Sequence, residues 1–187
     1  MKIGIFSDLH GSVEAAELVK KNILPKVDEL WFIGDVYYDY KDNEQTVVNR
    51  KLVYKAIKEM SEGKLKTIIK GNCDFKEKTD NEFFEKEASV KKDLLGRKAV
   101  LIHGHTIKQE EREFFLIEND ATILITGHTH IASIETENDY IYINPGSVSY
   151  PRDVKNIPTY IVINEETKSI TVYAIDNDEL IEELVIY

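Results

Sequence analysis

A single cysteine among 187 residues rules out an internal disulfide, so the fold must be held by packing and hydrogen bonds alone. Basic side chains are also scarce. Lys and Arg number 24 against 34 Asp and Glu, a formal charge of -10. That balance argues against a broad nucleic-acid surface, which needs clustered cations to neutralise phosphates. No stretch approaches the ~20 apolar residues of a membrane span. The chain runs straight into Lys2-Ile3-Gly4-Ile5-Phe6 with no signal-peptide pattern. A cytoplasmic protein with a single domain over residues 1–187 is therefore expected, without membrane contact.

Histidine is rare too, with five in all, but its placement is not random. In the stretch Ile125-Thr126-Gly127-His128-Thr129-His130, a short apolar run ends at Gly127 and two imidazoles follow two residues apart. Locally extended backbone would aim both to one side, and neutral imidazole is the commonest protein metal ligand. The remaining histidines repeat the arrangement. His10 lies two residues after Asp8, and His103 two before His105, each pair after an apolar run.

The first two-thirds of the chain alternates strand and helix patterns. Strands are expected at 2–6, 30–33, 66–69 and 121–125, with a hairpin of 88–93 and 98–102 turned at Leu95-Gly96. Ser12 suits a helix N-cap, with Ala15, Ala16, Val19 and Ile23 on one face and Pro25 as the stop. Asp42 and Gln45 resemble a capping box for a second helix, whose face would carry Val48, Leu52 and Ala56. The charged residues after Asp74 suggest a short helix. A third long helix is expected over 107–119, with Phe114, Phe115 and Ile117 as its apolar contacts. Thereafter the texture is strands and turns, 133–136, 140–143, 159–163, 170–175 and 180–187, whose exposed edges could pair copies of the chain into a homo-oligomer. βα units followed by antiparallel hairpins predict two sheets packed face to face with helices outside.

On that scaffold every loop after a strand of the first half ends in groups that bind metal: Asp8 and His10, Asp35, Asn72, His103, then His128 and His130. Ligands gather at the carboxyl ends of strands in α/β sheets, so these loops are expected to meet in one crevice.

In order and spacing, Asp8-x-His10, Gly34-Asp35, Gly71-Asn72-x-Asp74, His103 and Gly127-His128-x-His130 resemble the calcineurin-like metallophosphoesterases. Cys73, His103-Gly104-His105 and the Asn144-Pro145-Gly146-Ser147 turn resemble the small bacterial and archaeal branch of that family, the YfcE-like phosphodiesterases. The resemblance implies a four-layer α/β/β/α sandwich with a dinuclear centre. It implies that Asp8, His10, Asp35 and His130 hold one divalent metal and Asp35, Asn72, His103 and His128 the other, with Asp35 bridging. It further implies hydrolysis of small phosphodiesters by a metal-bridging hydroxide, with Asn72 stabilising the transition state. Two divalent cations against two carboxylates leave about +2, enough to draw a phosphoester to an acidic protein. The mixed oxygen and nitrogen ligands suit Mn, Fe, Co, Ni or Zn, and the family favours Mn.

Other readings stand beside this one. A scaffold like the retromer's small metallophosphoesterase-like subunit would bind protein partners without catalysis, but it would have lost ligands that are intact here. A phosphomonoesterase or nuclease would call for histidine at position 73. Tyr37, Tyr38 and Tyr40 could stack on a base or simply cover a helix. Arg152 suits a phosphate or an ordinary surface ion pair. Asp74 is expected to orient its neighbours.

Cys73 is the informative departure, because a thiol with a pKa of about 8.5 does not replace an imidazole as general acid. Either His105 supplies the proton or the substrates have leaving groups that need little help. On the second reading, Cys73→His should raise the rate on a phosphomonoester and leave the diester rate unchanged. Parallel assays of the two esters test this, and no change in either rate would remove the missing acid as the determinant of substrate class.

Overall fold

A computed structural model describes residues 1–37, 44–74 and 82–187, with the side chains of residues 44 and 46 not described. The expected strand before a helix opens the chain: β1 (Lys2–Phe6), then α1 (Val13–Leu18), whose N-cap Ser12 accepts from the Ala15 N–H at 3.1 Å. The helix does not end at once. It widens into a π turn (Val19–Ile23) and tightens into a 3₁₀ turn (Leu24–Lys26) that accommodates Pro25 in its first turn, where a missing N–H costs nothing. Next come β2 (Glu29–Phe32), α2 (Glu44–Ser61), β3 (Leu65–Ile68), β4 (Ser89–Leu94) and β5 (Arg97–Ile102). A 3₁₀ turn leads into α3 (Arg112–Glu118). The remainder is β6 (Ile123–Ile125), β7 (Ala132–Glu137), β8 (Tyr140–Pro145), β9 (Thr159–Asn164), β10 (Ser169–Ala174) and β11 (Leu180–Val185).

These strands form two mixed sheets, a six-stranded one ordered β11-β10-β9-β1-β2-β3 and a five-stranded one ordered β4-β5-β6-β8-β7. β1, β2 and β3 run parallel, as do β5, β6 and β8, while the partners outside them are antiparallel. Alternation along the central strands builds the layers, because successive side chains point to opposite faces. Ile3, Ile5, Trp31, Ile33, Leu101, Ile125, Ile143 and Ile161 fill the space between the sheets. Phe6, Leu30 and Phe32 point the other way, under α1 and α2. Val100, Leu124 and Tyr142 form the second outer layer with Leu116 of α3. The result is the expected α/β/β/α sandwich.

Two helix faces differ from the expected ones. On α2 the buried residues are Val53, Ala56, Ile57 and Met60, whereas Val48 and Leu52 are 49% and 47% exposed. The i, i+3, i+4, i+7 stripe that wins starts at Val53 and excludes the earlier turn. On α3 Leu116 is the buried contact, and Phe114 and Ile117 are exposed, because a helix this short buries one narrow stripe. The expected capping residue Asp42, Tyr38, Tyr40 and most of the charged segment after Asp74 lie outside the described residues. Among the described residues no helix is long and apolar enough to cross a membrane.

Ile5 is fully buried in the central strand between the sheets. Ile5→Ala should therefore cost about 2–5 kcal/mol in chemical denaturation. Leu180→Ala, on the exposed edge strand, should stay within about 0.5 kcal/mol.

Candidate metal centre

The parallel strands of both sheets end at one rim, and the loops that leave them are tied together by backbone hydrogen bonds. After β1 the chain does not part from β2. Asp8 N–H donates to Gly34 O, and Leu9 and His10 N–H both donate to Asp35 O, all at 3.0 Å. This anchoring holds an unusual backbone, since Asp8 (φ 56°), His10 (φ 47°), Asp35 (φ 58°), His128 (φ 69°) and His130 (φ 62°) are all left-handed. Each such residue costs on the order of 1–2 kcal/mol, and clustering of that strain is a mark of functional sites. His128 and His130 are thus not extended, as their spacing suggested. The left-handed turns send them to different neighbours.

His130 faces the β1 loop. Its Nε2 lies 3.0 Å from His10 Nε2 and 3.3 Å from Asp8 Oδ1. His128 faces the β5 loop, its ring centroid 5.3 Å from that of His103 and 6.1 Å from that of His105. Asp35 stands between the two groups. The Cys73 N–H occupies its Oδ1 at 2.8 Å, leaving Oδ2 3.4 Å from His103 Nε2 and 3.8 Å from His10 Nε2. Donor atoms of Asp8, His10 and His130 lie within 4.8 Å of one another, as do those of Asp8, Asp35 and His103 and those of His10, Asp35 and Cys73. Asn72 is exposed beside them, its amide nitrogen 3.4 Å from Cys73 Sγ. His105 is exposed at the rim, its ring centroid 5.5 Å from that of His103.

Two carbonyls fix which nitrogens face inward. His103 Nδ1 is 2.7 Å from Ile33 O and His130 Nδ1 is 2.6 Å from Tyr150 O. A carbonyl only accepts, so both Nδ1 atoms carry hydrogen and each ring turns its Nε2 toward the carboxylates. Outer-shell bonds of this kind orient metal-binding histidines. Asp8 is fully buried, with Oδ2 accepting from His128 N–H at 3.0 Å, yet its Oδ1 has no hydrogen-bond partner among the described residues, and neither does His103 Nε2. Two buried atoms able to donate a lone pair, both left without a partner around one point, are what a cation would satisfy.

Electrostatics agree with that fit. Burial would raise the Asp35 carboxyl, but His103 and the Cys73 amide bring it down to about 2. Burial lowers the pKa values of His10, His128 and His105, so these rings are neutral at pH 7. His103 alone goes up, because the nearby Asp35 outweighs burial.

The sequence reading treats Asn144 and Ser147 only as part of a family turn and misses their supporting roles, and it misses Ser149 altogether. Asn144 Nδ2 donates to Gly127 O at 2.8 Å and to Thr129 Oγ1 at 3.1 Å, clamping the histidine loop from below. Ser147 and Ser149 hydroxyls both donate to Asp8 O at 2.8 Å. The Pro145-Gly146 turn was the one available signal. Asp74 does orient its neighbours: it is buried and accepts from the N–H groups of Asp35, Gly71 and Tyr37. A Cβ on Gly71 would collide with the Asp35 carboxylate, and one on Gly127 with the Ser7 hydroxyl, so both loops need glycine for close approach. Tyr37 is buried in the core under α2 and is no stacking platform. Arg152 is exposed and offers its backbone N–H to His130 O.

Residues 1–168 match the calcineurin-like phosphoesterase superfamily domain. The chain belongs to that superfamily. The phosphodiesterase YfcE of Escherichia coli is 29% identical over 190 residues, covering 100% of this chain and 98% of its own. The solved structure of the E. coli phosphoesterase YfcE superposes with a TM-score of 0.79 at 25% identity over the whole of both chains. Vps29 of Entamoeba histolytica, crystallised with Zn2+, shares the fold at 19% identity and a TM-score of 0.63, with 99% of each chain covered. The calcineurin-like family implies divalent metal ions, for which the carboxylate and imidazole donors of this site are suitable ligands.

Metal binding to this phosphoesterase site should release protons. Against the effect of burial, Asp35 raises the pKa of His103 above that of an ordinary imidazole, so among these rings it is the one whose Nε2 proton a cation would have to displace, whereas burial lowers His10 and His128. Calorimetric titration at pH 7 in buffers of different ionisation enthalpy should register a release on the order of one proton or less, and affinity should fall as pH drops from about 7 to 5. A buffer-independent heat would contradict this.

Proposed function

We propose that this chain is a cytoplasmic phosphodiesterase for small phosphodiesters with a dinuclear centre. Asp8, His10, Asp35 and His130 would hold one divalent cation and Asp35, Asn72, His103 and His128 the other. The observation that carries the reading is the buried Asp8 Oδ1 and His103 Nε2, both without hydrogen-bond partners among the described residues, beside the inward-facing imidazole nitrogens. Mn is the metal the family favours, and Ni, Fe, Co and Zn suit the same donors.

When bound, the cations supply Lewis acidity and make water nucleophilic at neutral pH. The chain's residues do the rest. Asp35 directs Oδ2 between His10 and His103, so it is the carboxylate that would serve both cations. Asn72 offers an amide N–H at the exposed side of the centre, where it stabilises charge on a phosphoryl oxygen. His105 is neutral at pH 7 because burial and His103 lower its pKa, and cations beside it would lower it further. It therefore contributes a hydrogen bond from a neutral ring rather than a stored proton. With Cys73 as its neighbour, this site favours esters whose leaving groups depart without protonation.

Metal-loaded protein should hydrolyse an aryl phosphodiester faster than the matching monoester. Asp35→Asn and His128→Ala should each lower kcat/KM by about 100-fold or more, the scale of losing a group that sets metal geometry or stabilises the transition state. Elemental analysis beside the two assays decides it. Stoichiometric metal with no turnover of either ester would point to a partner-binding scaffold on the same fold.

A further inference from the structure

On the outer face of the five-stranded sheet, a groove of about 290 Å³ runs between the start of α3 and β7. Leu124, Thr126 and Tyr142 line its floor, and Gln109, Ser133 and Glu135 reach it from the sides. Its remaining wall is made by Gly104, Gly127 and Thr129, the residues interleaved with His103, His105, His128 and His130. The groove is therefore separated from the candidate metal centre by one loop. That loop is fixed, since Asn144 holds Gly127 O and Thr129 Oγ1 from within the sheet.

One side chain in the groove is poised for a ligand. The Arg112 guanidinium lies over the Tyr142 ring, its central carbon 4.1 Å from the ring centroid, and its two terminal nitrogens donate to Glu135 Oε2 at 3.1 and 3.0 Å. Its Nε is buried without a hydrogen-bond partner among the described residues. A guanidinium held in place by a carboxylate and an aromatic ring is a rigid, planar cation, the kind of surface on which π-rings stack. The lining is mixed, with Ile107, Ile131 and Leu124 offering apolar faces and Gln109, Ser133 and Glu135 offering polar groups, so an occupant needs both an apolar face and a polar edge. A flat ring with donors and acceptors along its edge satisfies both. The volume suits one such ring with part of a sugar, and the acidic chain disfavours a longer nucleic acid.

We infer that this groove receives the base of a nucleoside phosphodiester, stacked at Arg112 and contacted along its edge by Gln109, Ser133 and Glu135, while the phosphate sits at the centre built around Asp35. The inference rests on the phosphodiesterase reading and narrows its substrate class to diesters with a nucleoside arm.

The test uses the full metal-loaded chain with two substrates that share a leaving group, thymidine 5′-(para-nitrophenyl) phosphate and methyl para-nitrophenyl phosphate. The thymidine ester should be preferred in kcat/KM by about tenfold or more, the scale of one base stacking. Ser133→Trp, which fills the groove, and Arg112→Ala, which removes the platform, should each bring that ratio close to one. Calorimetry supplies a readout without turnover: thymidine 5′-monophosphate should bind more tightly than methyl phosphate, and Ser133→Trp should erase the difference. Turnover of both esters at equal rates with no base-dependent binding overturns the groove and leaves the phosphodiesterase reading standing. Absent turnover with base-dependent binding that Ser133→Trp removes does the reverse. A preference that survives both substitutions also overturns the proposal, since the base would then be held elsewhere.

Discussion

Two carboxylates taken out of water and left incompletely paired are the constraint around which this molecule is arranged. Asp8 and Asp35 are both buried, and the Coulombic cost of such groups runs to several kcal/mol unless opposite charge and hydrogen bonds compensate. Compensation here is deliberate but partial. Each has one oxygen bound to a backbone N–H, from His128 and Cys73, and the other turned toward imidazole nitrogens. The protein has thus built the negative half of an ionic cluster at its sheet rim and surrounded it with neutral donors. Burial lowers His103 as it does the other rings, but its position against Asp35 outweighs that, so its pKa alone among the shifted histidines moves upward.

The same constraint accounts for the strained backbone. Left-handed residues at Asp8, His10, Asp35, His128 and His130 are sustained by the bonds that run between loops, from the β1 loop to Gly34 and Asp35, from the serine hydroxyls to Asp8 O, and from Asn144 to the histidine loop. Asp74 adds a carboxylate that gathers amides from both sides of the β2 and β3 loops. These residues touch no candidate ion, but they determine where the ligands stand. The sandwich beneath gives them a rigid base, because the strands that lead into these loops are packed on both faces.

Family membership and architecture bear on function with different weight. YfcE and Vps29 share this fold, and one is named a phosphodiesterase while the other is a vacuolar protein sorting factor, so the sandwich alone does not select a chemistry. What distinguishes this chain's site is local: the orphaned atoms, the carbonyl-fixed histidines and Asp35 standing between His10 and His103. The groove beside α3 opens on the outer apolar layer, where the Arg112 guanidinium covers Tyr142.

Much of this was written in local pattern. Short continuous apolar runs in β1, β2, β5 and β6 specified strands buried on both faces, and the polar residues placed just after them supplied the candidate ligands, because residue type and strand end are both properties of a short segment. What the sequence left undetermined depended on distant partners. The buried stripe of α2 was misread as Val48 and Leu52, since only the sheet it rests on decides which face is covered. The two histidines after Gly127 were read as parallel neighbours, yet the loop's clamp by Asn144 turns them apart. The stacking of Arg112 on Tyr142 joins residues 30 apart in sequence, and no periodicity records it. The sequence by itself thus determined which groups are available and near which strand ends. Tertiary structure alone decided their pairing and protonation, because these follow from distances of a few ångströms between segments that are remote along the chain.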